Sequence, residues 1–208
     1  MTSTALRLAA VGLAAYLAGS IPFGLLLARL RGVDIRAVGS GNIGATNVWR
    51  CVGKTEGGVT FLLDALKGYA GAALLPHLLG CGGQQGTALL GAGLAVVGHN
   101  YPVFLRFRGG KGVATSVGAL LGAAPAAVGI GVAVWLAVLL ASRFVSLASM
   151  AAALSIAVFV WVFRAPQELL RPAVLSALAA LTVWRHKSNI VRLARGTEHR
   201  VAFGAKGR

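Results

Sequence analysis

Three stretches hold most of the side chains able to handle a phosphate. The first is Gly39-Ser40-Gly41-Asn42-Ile43-Gly44-Ala45-Thr46-Asn47-Val48-Trp49-Arg50. It contains a formal G-x-G-x-x-G, but that fingerprint has meaning only after a strand and within a βαβ unit, and here it follows an apolar helix. What remains is backbone that glycine lets approach a ligand, with Ser40, Asn42, Thr46 and Asn47 as small donors, Gly41 among them and Arg50 as a cation. Successive exposed N–H groups of this kind form an anion nest. The bland alternative is a flexible polar linker.

The second stretch runs from Gly98-His99-Asn100 to Arg106-Phe107-Arg108-Gly109-Gly110-Lys111-Gly112-Val113-Ala114-Thr115. It is not a Walker A loop, because Gly112 stands where Ser or Thr should hold magnesium. Lys111, flanked by Gly109, Gly110 and Gly112 at the opening of a helix, still suits a phosphate, since a helix N-terminus presents N–H groups and a positive dipole end. An ordinary membrane anchor explains Arg106 and Arg108 but not the glycines. His99 reads as a satisfied interfacial histidine before it reads as a base. The third stretch, Trp184 to Glu198, carries His186, Asn189, Arg192 and Arg195. A basic amphipathic segment on anionic lipid accounts for its cations, whereas Asn189 and Glu198 are not needed for lipid attraction.

The elements that must position these residues are membrane helices. The chain has 208 residues, 57% hydrophobic and only 12% charged, with 29 glycines. Apolar runs at 5–28, 58–79, 86–105, 144–163 and 169–185 are near the roughly 20 residues that cross a hydrocarbon core of about 30 Å. The first run is too long for a signal-peptide core and no small-x-small cleavage site follows, so it reads as one retained helix. Residues 113–141, with Pro125 near the middle, read as a pair of short helices turning near that proline.

Charge supports this division. With seven spans, nearly all basic residues fall on one side of the membrane, leaving only Arg7, Arg164 and Arg171 on the other and Lys67 inside a span. Lys and Arg in short loops stay cytoplasmic, which sets the N-terminus outside, the C-terminus inside and the polar loops on the cytoplasmic face. The expected architecture is therefore an all-α polytopic membrane protein of seven transmembrane helices, one domain over 1–208, with a basic tail at about 199–208. Its formal charge of +15 does not imply nucleic acid, because the cations sit between spans. Cys51 and Cys81 fall on opposite sides of the second span, so neither a disulfide nor a zinc site is expected.

Asp64 and Lys67 lie three residues apart in the second span and share a helix face. Charges there point at a partner or a wet cavity, or neutralise each other. Ser142, Ser146 and Ser149 flank the sixth span, where a serine commonly bonds its own backbone.

Four ordered runs carry a resemblance: Ser40-Gly41-Asn42-Ile43-Gly44-Ala45-Thr46-Asn47; Asp64-x-x-Lys67-Gly68; Phe107-x-Gly109-Gly110-Lys111-Gly112-Val113-Ala114-Thr115; and His186-x-x-Asn189-Ile190-x-Arg192-Leu193-x-x-Gly196-x-Glu198. The sequence resembles the bacterial acyl phosphate:glycerol-3-phosphate acyltransferases, the PlsY family. This resemblance implies a seven-helix inner-membrane enzyme working at the cytoplasmic face. It would transfer a fatty acyl group from acyl phosphate, not from acyl-CoA or acyl carrier protein, to the 1-hydroxyl of glycerol 3-phosphate, giving lysophosphatidic acid and phosphate.

By residue matching, the resemblance implies Ser40, Arg50, Lys111, Ser146, His186 and Asn189 as catalytic residues. Gly41, Asn42, Thr46, Asn47, Gly109, Gly110, Gly112 and Glu198 would bind substrate. Arg50 and Lys111 would fix phosphates, the N–H groups of Gly109 to Gly112 would hold the acyl phosphate, and Ser40, Ser146 and Asn189 would orient the acceptor or the developing oxyanion. No cofactor or metal is expected, and the partners are the two substrates and membrane lipid. No Asp stands four or five residues beyond any histidine, so the His-x-x-x-x-Asp pair of soluble acyltransferases is absent. Proton removal by a substrate phosphate is favoured over His186.

Two other readings remain. A transporter for an organic phosphate would also use glycine loops and intramembrane charge, but the outer loops are nearly devoid of polar groups. A metal-dependent CDP-alcohol phosphotransferase needs clustered carboxylates, and five scattered acidic residues do not supply them. The acyltransferase reading requires the inward-facing loops and the terminal segment to meet in one anion-binding cavity at the lipid boundary.

Overall fold

The computed structural model describes residues 2–201, so the expected tail at 199–208 falls largely outside the described residues. Every regular element among them is helical. Five helical segments are long and apolar enough to cross a membrane: Thr4–Leu30, Lys54–Leu78, Gln85–Leu105, Pro125–Ser142 and Val145–Val162. The chain divides into two compact units, Met1–Val128 and Gly129–Arg208.

In the first unit, the run expected as one helix is two, α1 (Thr2–Ser20) and α2 (Phe23–Leu30). Pro22 has no N–H to donate and disfavours helical backbone at Ile21, so the ladder breaks there. A loop leads to α3 (Ala45–Cys51) and α4 (Lys54–Tyr69), which continues through a π-turn at Ala70–Leu74 into α5 (Leu75–Leu78). α6 (Gln85–Asn100) and a 3₁₀ turn at Val103–Leu105 precede the Lys111 loop and α7 (Val113–Ala123).

Glycines let these helices touch at the backbone. A Cβ at Gly19 of α1 would lie 2.1 Å from the Ala95 carbonyl of α6, and one at Gly98 of α6 would lie 2.2 Å from that of Tyr16. Between α4 and α7, a Cβ at Gly68 would lie 2.0 Å from the Thr115 carbonyl. Association in lipid depends on such close van der Waals contact, because apolar burial drives little of it there.

The break near Pro125 falls at Ala124, where α7 ends and α8 (Pro125–Ser142) begins. Proline suits a first helical position, whose N–H has no intrahelical partner in any case. The two helices are not both short: α7 has 11 residues and α8 has 18.

The second unit comprises the rest of α8 with α9 (Val145–Val162), α10 (Leu170–Arg185) and α11 (Lys187–Ala194). Indole donors tie its helices together. Trp135 Nε1 donates to Ser149 Oγ at 3.2 Å, and Trp161 Nε1 donates to Ser176 Oγ at 3.0 Å. After α11 the chain returns to the α8–α9 turn, where the Val201 N–H donates to the Arg143 carbonyl at 2.8 Å.

Candidate active site

The first loop is built around a buried asparagine. Asn47, 3% exposed, accepts the Ser40 N–H at 2.9 Å and donates through Nδ2 to the carbonyls of Ile35 at 3.3 Å and Val38 at 3.2 Å. Gly39 and Gly41 flank Ser40 with φ of 59° and 67°, a left-handed backbone that glycine adopts without steric cost. Beneath the loop, Leu25, Ala28, Ile35, Ile43 and Val48 form a small core, joined by Leu105 from the second stretch.

This loop closes on itself, which corrects the expected nest of exposed N–H groups. The Gly41 N–H donates to the Val38 carbonyl at 3.0 Å, and the Gly44 N–H donates to Asn42 Oδ1 at 2.9 Å. Toward a ligand it therefore presents side chains: Ser40 is half-buried, and Thr46 and Arg50 are exposed. Arg36, not anticipated from the sequence, donates through Nη2 to the Arg108 carbonyl at 3.3 Å and so joins the two loops.

The second loop lies on the end of α6. The Gly110 N–H donates to the His99 carbonyl at 3.1 Å and is turned inward, another departure from the expected row of glycine donors. Gly112 adopts φ of 77° as it enters α7, and a Cβ there would meet Asn100 Oδ1 at 2.8 Å. Lys111 is half-buried between these glycines, immediately before the helix N-terminus. The N–H groups of the first α7 turn have no intrahelical acceptor and carry the positive end of the helix dipole.

In the second unit, Glu198 organises Ser146 and Asn189. Ser146 Oγ donates to Oε1 at 2.8 Å and Asn189 Nδ2 donates to the same oxygen at 2.6 Å, while Arg192 Nε donates to Oε2 at 2.7 Å. Burial opposes the Glu198 charge, but the hydrogen bonds from Asn189, Ser146 and Arg192, with the Arg192 charge, outweigh it and hold the carboxyl below the usual glutamate range. Ser142 and Ser149 bond the carbonyls of Val138 and Val145 four residues back, as serines in membrane helices commonly do. Ser146 instead bonds Glu198.

His186, 2% exposed, places Nδ1 2.8 Å from the Thr182 carbonyl. A carbonyl only accepts, so Nδ1 carries a proton and the hydrogen bond fixes the ring's orientation. Arg192 was missed as a contributor from sequence. Its signal was the three-residue spacing from Asn189, which puts both on one face of α11.

No group of three or more His, Cys, Asp and Glu side chains suited to a metal occurs among the described residues. These features define an all-helical integral membrane protein whose polar loops carry cations, small hydroxyls and glycine backbone, a chemistry suited to phosphate-bearing substrates.

The chain belongs to the glycerol-3-phosphate acyltransferase family, whose profile matches residues 9–196. It is 45% identical over 199 residues to glycerol-3-phosphate acyltransferase 1 of Rhizobium johnstonii, covering 95% of this chain and 92% of that one. The glycerol-3-phosphate acyltransferase of Aquifex aeolicus is 46% identical over 89% of this chain and 95% of its own length. The crystal structure of PlsY, an integral membrane glycerol 3-phosphate acyltransferase, in its glycerol 3-phosphate form superposes with a TM-score of 0.84. It is 41% identical over 92% of this chain and 94% of that chain. The lysophosphatidic acid form gives a TM-score of 0.81 at 40% identity.

Proposed function

We infer that this protein transfers a fatty acyl group from acyl phosphate to the 1-hydroxyl of glycerol 3-phosphate, releasing lysophosphatidic acid and phosphate. The observation that carries this reading is its similarity, along nearly the whole chain, to an acyltransferase crystallised with glycerol 3-phosphate and with lysophosphatidic acid. Acceptor and product differ by one acyl group. The donor is assigned as acyl phosphate because a lysine-bearing glycine loop leading into a helix N-terminus suits a second phosphate.

In the reaction, the acceptor hydroxyl oxygen bonds to the acyl carbon. The carbon–oxygen bond to phosphate then breaks, and phosphate leaves with the electron pair. Acyl phosphate is already activated, so positioning and charge stabilisation supply most of the rate and no acyl-enzyme is needed.

Lys111 and Arg50 hold phosphate oxygens, with the N–H groups of the first α7 turn beside Lys111. Ser40 and Thr46 contact substrate from the first loop, with Gly41, Asn42, Gly109, Gly110 and Gly112 shaping the backbone around it. Ser146 and Asn189 serve the acceptor or the oxyanion. Asn47 and Glu198 act as positioning residues, since their polar atoms engage this chain's own groups. The hydroxyl proton passes to a substrate phosphate. His186, buried and bonded through Nδ1 to the Thr182 carbonyl, takes a supporting part.

The chain acts as one domain of seven membrane helices, with the apolar α7 and the 16-residue α10 joining the five long segments. Its N-terminus lies outside and its polar loops and C-terminus face the cytoplasm of a bacterial inner membrane, as the distribution of basic residues argues.

Purified protein in detergent, given acyl phosphate and glycerol 3-phosphate without added metal, should release phosphate and lysophosphatidic acid. Absence of turnover would return the assignment to transport. Impermeant labelling of Lys111→Cys and of Asn189→Cys, each in a protein whose Cys51 and Cys81 are replaced by serine, should mark the same face of sealed vesicles, and opposite faces would overturn the topology.

A further inference from the structure

Three titratable side chains with no part in the reaction described above are buried inside the first unit. Asp64, Lys67 and His99 are 2%, 6% and 5% exposed. Charge inside a membrane span is expensive and marks a function or a specific partner. Lys67 Nζ lies 2.7 Å from Asp64 Oδ1 and donates to the Ile21 carbonyl at 2.7 Å, with the Phe23 ring centroid 5.6 Å away. Ile21 is the residue at which the first membrane segment breaks before Pro22, so Lys67 bridges α4 to that break.

Asp64 Oδ1 also faces His99 Nδ1, at 3.5 Å. Nδ1 is thus the ring nitrogen turned toward the carboxylate, and Nε2 lies on the opposite edge of the ring. That opposite edge lies against the Lys111 loop. A Cβ at Gly110 would sit 2.0 Å from His99 Nε2, and one at Gly109 would sit 2.1 Å from the His99 carbonyl oxygen. The Gly110 N–H donates to that same carbonyl. One continuous line of polar contacts thus runs from the helix break at Ile21, through Lys67 and Asp64, to the ring under Gly110.

We propose that Lys67, Asp64 and His99 form a buried brace that sets the height and orientation of the Gly109–Gly112 loop, and that His99 is a positioning residue for the phosphate held by Lys111. The proposal rests on the assignment of that loop to substrate phosphate. It explains why a histidine beside the loop needs no exposed edge, and why glycine is required where the ring and the backbone meet.

The test is a double-mutant cycle. Gly110→Ala is expected to raise KM for acyl phosphate by about tenfold, since the added methyl must displace a ring held by Asp64. His99→Ala is expected to raise it similarly by releasing the loop. The double variant should be no worse than Gly110→Ala alone, because removing the ring makes room for the methyl. Losses that multiply, or a Gly110→Ala enzyme with unchanged KM, overturn the proposal.

If His99→Ala does not fold, His99→Gln takes its place in the cycle. Amide hydrogen exchange supplies a readout independent of turnover. Residues 109–113 should exchange faster in the His99 variant while residues 85–97 keep their protection, and unchanged loop exchange counts against the brace. Full activity in Lys111→Met would instead remove the loop from the substrate site. Exchange would then judge the brace alone.

Discussion

Asp64 and Glu198 are both carboxylates met by a cation and further polar partners, yet their settings differ. Asp64 is 2% exposed in the middle of α4, inside a membrane segment, where its cation Lys67 is fixed one helical turn away. Glu198 lies in the short segment after α11, half-buried, with Arg192, Ser146 and Asn189 converging from two helices. Without Asp64, an ammonium group is left in a place that water reaches poorly. Without the Glu198 charge, three donors lose a common acceptor, and of the three only Arg192 keeps access to solvent, since Ser146 and Asn189 are 5% and 4% exposed. Similar ion-pair chemistry therefore sustains the fold in one unit and side-chain geometry in the other, because Asp64 balances a buried cation whereas Glu198 gathers two neutral donors and an arginine that reaches solvent.

The largest expected effect breaks the first half of this comparison. Asp64→Ala should destabilise the folded protein by about 3–5 kcal/mol, the cost of stranding a buried charge. Thermal unfolding in detergent should show the loss, and Asp64→Ala combined with Lys67→Met should recover much of it. If the single variant melts like the wild type, Asp64 is not the counter-charge described here.

Next comes Lys111→Met, which should cost about 10²- to 10³-fold in turnover with an unchanged melting temperature, the scale of losing one charged contact to a developing anion. Glu198→Gln should follow at about ten- to hundredfold in kcat, because hydrogen bonds to a charged acceptor contribute about 1.5–3 kcal/mol. A neutral amide cannot accept from Ser146, Asn189 and Arg192 at once.

The pH dependence sharpens the second half. Glu198 titrates lower in the folded protein than in the unfolded chain, so between the two values the unfolded chain binds more protons. Its contribution to stability is complete above the ordinary glutamate range, declines as pH falls through that range and is gone below the lowered native value. The difference in unfolding free energy between wild type and Glu198→Gln should be flat at neutral pH and shrink only in acid. A difference that grew in acid would reverse the assigned direction.

The contrast between the two carboxylates also marks what the sequence can disclose. The Asp64–Lys67 pair is legible because three residues along a helix bring side chains together whatever surrounds them. His99 lies on another helix, and its approach to Asp64 depends on how closely glycine lets α6 pack in this unit. Ser146 and Glu198 are 52 positions apart and meet only because the chain after α11 folds back to the α8–α9 turn. Hydropathy located four of the five long segments and read the fifth, Pro125–Ser142, as a short helix; it passed over the break at Ile21–Pro22, since a proline interrupts hydrogen bonding without interrupting apolar character. Glycine and asparagine in the first loop signalled a closely approaching backbone. They did not reveal that Asn47 would satisfy that backbone internally, because a small polar side chain serves a ligand or its own loop with the same atoms.

The smallest expected effect separates charge from placement. Arg106 and Lys111 carry the same sign five residues apart, but Arg106 is exposed at the end of the 3₁₀ turn with φ of 51°, whereas Lys111 is half-buried at the entrance to α7. Alanine at position 106 meets the same left-handed backbone constraint as arginine, so Arg106→Ala neither relieves nor adds strain there. Removing one solvated charge away from packed contacts shifts stability by no more than about 0.5 kcal/mol. Turnover should stay within about twofold of wild type, less than one-quarter of the tenfold that 1.36 kcal/mol of barrier would produce. If Arg106→Ala fell as far as Lys111→Met, the overall positive field of the loop would govern binding, and the placement of Lys111 on its glycines would cease to explain the site.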